Sequence, residues 1–193
     1  MVAGYGAPVP RLLVLNGPPA VGKTTLARRF VDEHPLALNL DLDSVRRLLG
    51  RWQDDPNRAG LLARAMTLTM AREHLGNGYD VVLPQYLGNP QFLAQAEDVA
   101  RASGAEFFEI VLMDGRDEVV RRFNDRTARA AEPAHVDAAR TVAGLGGDEL
   151  LFTMYDRLIL LLSARPGARV IQCPEGAVDE AYRRLRELVD GAG

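Results

Sequence analysis

The sequence predicts an α/β fold, a three-layer αβα sandwich on a five-stranded parallel sheet. Two observations carry this. Apolar, strand-like runs alternate with helical segments from Arg11 to Val189, the pattern that puts helices on both faces of a parallel sheet. Residues 17–24, Gly-Pro-Pro-Ala-Val-Gly-Lys-Thr, also match G-x-x-x-x-G-K-[ST] without departure, between an apolar run and a helical one. Right-handed crossovers then bring the C-terminal end of every strand to one edge, where ligands bind.

The elements follow in order. Arg11–Asn16 reads as a buried first strand. Lys23–His34 reads as the first helix, stopped before Pro35 because a residue preceding proline leaves the α region. Leu36–Leu40 is a second strand, and Ser44–Leu49 a short helix ending at Gly50. Arg51–Asn57 is polar, contains Pro56 and reads as a loop. Arg58–Leu75 is a long helix with Gly76-Asn77-Gly78 as its stop. Tyr79–Leu83, Glu106–Met113 and Ala168–Gln172 complete the strands. Pro90–Ser103, Asp117–Ala130, Asp148–Ser163 and Val178–Val189 read as helices, and Glu132–Gly147 as a loop with a short helix. No linker or repeat interrupts the chain, so residues 1–193 are expected to form one domain, with frayed tails at Met1–Pro8 and Gly191–Gly193.

Composition sets the outer limits. The chain has 193 residues, 47% of them hydrophobic, enough for one sizeable core. Its formal net charge of -3 provides no general basic character for a long nucleic acid. The single cysteine, Cys173, excludes an internal disulfide and a cysteine-rich metal site, and suits a cytoplasmic location. No leader-like segment and no apolar run of about 18 residues is visible, so no membrane span is expected. Monomer and homodimer both remain open.

The loop of residues 17–24 has a physical reason to bind a nucleoside triphosphate. Gly17 and Gly22 let the backbone curl, so that N–H groups around Ala20, Val21, Gly22 and Thr25 point inward at phosphate oxygens. The positive end of the following helix adds its field. Lys23 would reach the β- and γ-phosphates of ATP, and the Thr24 hydroxyl would ligate Mg²⁺.

The next signal is Asp41-Leu42-Asp43-Ser44-Val45-Arg46, at the end of the second strand. In extended geometry the two carboxylates point the same way. Asp41 is assigned to the Mg²⁺ shell, directly or through water. Asp43 is the candidate base that orients an acceptor hydroxyl and takes its proton. Arg46 would bind an acceptor anion or the transferring phosphoryl group. Simple helix capping by Asp43 or Ser44 is the competing explanation. Arg122 and Arg126, four apart, share a helix face, and aimed at the loop they would neutralise γ-phosphoryl charge. The stretch 127–133 beyond them is small and polar, as a lid would be, and the lid is placed around residues 122–147. Trp52 would wall an acceptor pocket. His34, His74 and His135 lack ligand spacing.

Taken together, Gly17–Thr24, Asp41-x-Asp43-x-x-Arg46 and Arg122-x-x-x-Arg126 resemble the small P-loop kinases of the nucleotide-kinase-like group. The likeness runs from about Arg11 to Val189. It is similar to zeta-toxin-like kinases in the Asp-x-Asp with a following basic residue, to phage-type polynucleotide kinases in the Asp-x-x-Arg and Arg-x-x-x-Arg, and to chloramphenicol phosphotransferase in size and layout. The resemblance implies the P-loop NTPase fold with strand order 2-3-1-4-5. It implies an ATP- and Mg²⁺-dependent transfer to a hydroxyl, with the residue at Asp43 acting on the acceptor, lid arginines on ATP phosphates, and Cys173–Ala177 passing the adenine. The expected acceptor is a small polar molecule: a metabolite, sugar-like compound or antibiotic. A nucleotide sugar comes next and a polynucleotide 5′-end third; a regulatory ATPase with no acceptor is the rival from another class. One departure stands out. Many relatives end the third strand on Asp, whereas this chain reads Val81-Val82-Leu83-Pro84-Gln85-Tyr86. Metal holding then falls to Thr24 and Asp41, and Gln85 and Tyr86 become acceptor contacts.

Overall fold

The computed structural model describes residues 9–129 and 133–191, the side chains of 133–135 excepted. The expected frayed segment Met1–Pro8, the last two residues and the side chain of His135 lie outside what is described. Five parallel strands form one sheet: β1 (Arg11–Asn16), β2 (Leu38–Asn39), β3 (Val81–Pro84), β4 (Glu106–Met113) and β5 (Arg169–Gln172). Their order is β2-β3-β1-β4-β5, the order the resemblance implies. The helices are α1 (Lys23–Glu33), α2 (Leu42–Arg47), α3 (Pro56–Gly76), α4 (Pro90–Ala102), α5 (Arg116–Ala128), α6 (Pro133–Gly144), α7 (Asp148–Ala164) and α8 (Val178–Asp190).

The two-residue period of β1 separates two cores. Leu12 and Val14 face α3, α4 and α7, where Leu75, Phe92, Leu93 and Leu158 are buried. Leu13 and Leu15 face α1 and α8, meeting Leu26, Phe30 and Leu185. A strand apolar on both faces belongs at the centre of a covered sheet, and β1 sits there. The loop of residues 17–22 leaves this central strand at its C-terminal end, beside the ends of β3 and β4.

Several boundaries differ from the expected ones for local reasons. β2 shrinks to two residues because Leu36, after Pro35, turns with φ 63° before the chain can pair. α2 starts at Leu42, with Asp41 as its N-cap, so neither Asp43 nor Ser44 caps it. α3 starts at Pro56 with Asp55 as its cap, because an Asp-Pro pair suits the cap and first helical position better than a loop. A 3-10 turn at Trp52–Asp54 precedes it. α6 is a full helix rather than a short one. A third, smaller core of Val120, Phe123, Val142 and Leu151 joins α5, α6 and α7, and Ala20 of the loop packs against it. Among the described residues no helix is long and apolar enough to cross a membrane.

Candidate active site

The backbone of residues 17–24 forms a tight cradle, and its glycines are required. Gly17 has φ 146°, and a Cβ there would stand 2.5 Å from the carbonyl oxygen of Leu112. Gly22, with φ 113°, is the N-cap of α1. Ala20 also takes a left-handed conformation, φ 65°, a strain of the kind found at ligand-gripping loops. Val21 is fully buried in the α1 side of the core, so its side chain anchors the loop and leaves only its backbone to a ligand. Buried Asn16 stitches the loop to the segment after β3. Its Nδ2 donates to the carbonyl of Leu87 at 3.0 Å, and its Oδ1 accepts from the N–H of Leu87 and of Gly17, both at 2.8 Å. A polar residue closing an apolar strand was the visible signal for Asn16, and the sequence reading passed over it.

Lys23 Nζ donates to the carbonyls of Gly17 and Pro18 at 2.8 and 2.7 Å. Burial, and after it the charge of Arg126, lowers its pKa to about 7 against the opposing pull of Asp43 and Asp41. These mutual influences place the lysine, the arginine and both carboxylates together.

They line one cleft of about 320 Å³, bounded by Lys23, Thr24, Asp41, Asp43, Arg46, Gln85, Tyr86 and Arg126. Arg28, Ser44 and Arg47 from α1 and α2 also line it, as do Thr141 and Met154 from α6 and α7; none of these five was singled out from the sequence. Thr25, in the first turn of α1, is exposed and lies outside the lining.

The two carboxylates reach the cleft by a route other than a shared extended strand. Asp41 caps α2: its Oδ1 accepts from the N–H of Asp43 at 2.9 Å, and its Oδ2 accepts from the Ser44 hydroxyl at 3.1 Å. Asp43 lies inside the first turn and pairs with Arg46 at 3.0 Å. Burial raises the Asp43 carboxyl above its ordinary value, with Arg46 opposing and Asp41 adding to the rise. Arg46 stacks over the Trp52 ring, 4.4 Å from its centroid, and its Nε is buried without a hydrogen-bond partner among the described residues. Trp52 itself does not line the cleft, because its ring backs Arg46 instead.

Arg122 is the clearest departure. It is absent from the cleft lining. Its Nη1 donates to Asp114 Oδ2 at 2.7 Å and to the carbonyl of Cys173 at 2.8 Å. Side-chain exposure is only 12% for Arg122 and 11% for Asp114, so the pair ties α5 to the ends of β4 and β5. Arg126, one turn on, faces the cleft. Of the two arginines expected to aim at phosphate, only Arg126 faces the cleft, and Arg122 is engaged by Asp114.

Tyr86 donates its hydroxyl to the Met154 carbonyl at 3.1 Å. Burial raises its pKa, and Arg157 opposes the rise. His34 and His74 are engaged with the carbonyls of Phe30 and Leu36, both at 2.7 Å. Among the described residues no cluster of three or more His, Cys, Asp or Glu side chains is placed to hold a metal ion. A divalent ion here would therefore need a ligand's own oxygens beside Thr24 and Asp41. That fits the donor set, since Thr24 is exposed at the loop's mouth and Asp41 lines the same cleft.

A parallel sheet of this order with a glycine-curled loop after its central strand defines a P-loop NTPase fold. The chain belongs to the AAA domain family AAA_33, whose model matches residues 12–145. Among solved structures it is similar to the Mycobacterium tuberculosis APS kinase in complex with AMPPNP and APS, at 18% identity and TM-score 0.61, covering 95% of this chain and 99% of that one. It is similar to a gluconokinase from Sinorhizobium meliloti at 14% identity and TM-score 0.59, covering 96% and 98%. It is also similar to the Deinococcus radiodurans tunicamycin resistance protein at 14% identity and TM-score 0.60, covering 93% and 95%. At these identities the likeness is one of fold. No curated protein sequence matches the chain.

Proposed function

We propose that the protein is a kinase that transfers the γ-phosphoryl group of ATP to a hydroxyl of a small polar molecule. The observation that carries this is the single cleft in which the phosphate-loop lysine, Lys23, and a half-buried carboxylate, Asp43, face a common space. A regulatory ATPase has no use for such a carboxylate. The fold neighbours, an APS kinase and a gluconokinase among them, support the reading at the level of reaction class.

The loop's N–H groups and the N-terminus of α1 grip the triphosphate. Lys23 leaves its loop carbonyls and turns to the phosphates. Thr24 and Asp41 would hold Mg²⁺, which supplies charge neutralisation at the phosphoryl oxygens. Arg46 positions the acceptor against Asp43. As the acceptor oxygen bonds to the γ-phosphorus and the bond to the ADP oxygen breaks, Asp43 takes the hydroxyl proton. Arg126 neutralises charge on the transferring group. The end of α5 and α6, within residues 122–147, act as the lid that excludes water, a competing acceptor. Arg122 is a positioning residue, through the Cys173 carbonyl. Gln85 and Tyr86 contact the acceptor.

The test is γ-labelled ATP with a library of hydroxyl compounds, the label's destination read by mass spectrometry. A phosphorylated product is expected, and Asp43→Asn should retain nucleotide binding while lowering transfer at least about 10²-fold. Hydrolysis of ATP with no phosphorylated product from the library would favour the regulatory ATPase instead.

A further inference from the structure

Two cavities meet at Tyr86. One is the cleft. The other is an open groove of about 840 Å³ between α3, the start of α4 and α7. Tyr86 lines both. Its ring folds back over Gly88, where a Cβ would stand 2.4 Å from the phenolic oxygen, so a side chain at that position would displace the ring. The hydroxyl is tied to the carbonyl of Met154, itself a cleft residue. Tyr86 is thus a fixed partition, held at both ends.

The groove's charge runs against that of the chain. Asp and Glu outnumber Lys and Arg by 26 to 23 overall, yet the groove is lined by Arg64 and Arg157 and by no carboxylate. Both arginines are exposed. No described acidic side chain lies within salt-bridge distance of either, unlike Arg11, Arg116 or Arg121. The amide side chains of Asn89, Gln91 and Gln95 complete the polar lining, over an apolar floor that includes Leu68 and Phe92. Guanidinium groups with free forks, amides and an apolar floor suit a phosphorylated polyhydroxyl compound.

We propose that this groove binds the far, phosphate-bearing end of an elongated acceptor whose hydroxyl lies in the cleft, with Arg64 and Arg157 as the phosphate contacts and Tyr86 as the wall the acceptor crosses. The proposal rests on the kinase reading and adds the acceptor's class to it.

The experiment uses ¹⁵N-labelled full-length protein saturated with Mg²⁺ and AMP-PNP, which keeps the phosphate loop filled. It is titrated separately with inorganic phosphate, glucose 6-phosphate and glucose. Phosphate and glucose 6-phosphate should shift the amide signals of Gly88, Asn89, Gln91 and Phe92 saturably, and glucose should leave them in place. Glucose 6-phosphate should also shift Gln85 or Tyr86. The double variant Arg64→Ser with Arg157→Ser should weaken both responses about tenfold or more. Because both side chains are exposed, the variant's dispersed spectrum will report an intact fold. The proposal is overturned by no saturable shift at Gly88, Asn89, Gln91 and Phe92, by an unaltered response in the double variant, or by a sugar phosphate that never touches the cleft side of Tyr86. AMP-PNP binding in the same samples reports separately on the kinase reading. Its absence would sink that reading, whereas normal nucleotide binding beside a silent groove removes only this inference.

Discussion

Lys23 concentrates the site's electrostatics in one residue. Its ammonium is held by two loop carbonyls near Arg126, and its pKa falls to about 7 from 10.5. The folded state therefore binds fewer protons than the unfolded state between those values. Stability should rise with pH across that window, and the penalty of the buried charge is fully present below pH 7. A bound triphosphate reverses the sign, since opposite charge beside an ammonium favours its protonated form. Nucleotide binding at pH 8 should thus take up close to one proton. Calorimetry in buffers of different ionisation enthalpy measures this, and an enthalpy independent of buffer would separate Lys23 from the phosphates. The motif made Lys23 legible in the sequence. Its loop carbonyl bonds and its shifted titration were not, because they depend on the folded loop and on the charge of Arg126, about a hundred residues away in sequence.

Among the elements, α5 shows how one face divides its labour. Arg121 joins Glu118, Asp125 and Glu175 on the surface. Arg122 closes a nearly buried pair with Asp114 and holds the Cys173 carbonyl. Arg126 alone of the three lines the cleft. The i, i+4 spacing correctly put Arg122 and Arg126 on one side of the helix, but that side spans both the sheet edge and the cleft mouth. Removing one partner of a buried pair leaves the other charge uncompensated. Arg122→Ala should destabilise the protein by about 3 kcal/mol, a fall in melting temperature of roughly 6–12 °C for a chain of this size. Arg126→Ala should act on chemistry, lowering turnover by about 10³-fold. Melting curves and turnover on both variants check this. Equal effects on turnover with no loss of stability in Arg122→Ala would return Arg122 to the phosphates. α2 carries a similar lesson. The Asp-x-Asp pattern shows in the sequence, but only the fold shows that Asp41 spends both oxygens on the helix cap and Ser44.

For the whole molecule, the separation into cores matters most. Two cores grip the sheet, and a third holds α5, α6 and α7 together with only Ala20 of the loop packed against it. Arg122 ties α5 to the sheet edge and Leu158 seats α7 in the first core, which leaves α6, packed on α5 and α7, as the element suited to open and close. Nucleotide at a hundredfold its dissociation constant should add about 2.7 kcal/mol of stability. Hydrogen exchange should localise the gain: α6 amides from 136 to 144 should slow markedly, while those of β1 and β4 stay as slow as before. Uniform slowing across the sheet, with α6 unchanged, would argue against closure.

The strand–helix alternation, the order of elements and the phosphate-loop chemistry were all determined by the sequence itself, because each depends on neighbours in the chain: period-two apolar strands, prolines and glycines at turns, and glycines where the backbone must curl. Boundaries such as the start of α3 at Pro56 were readable too, from an Asp-Pro signal that the polar composition of the stretch obscured. The tertiary structure alone decided which arginine meets the cleft, that Trp52 supports Arg46 instead of walling a pocket, and that Tyr86 divides two cavities. Those outcomes depend on side chains from separate elements competing for the same partner or the same space, and only the folded packing settles which of them prevails.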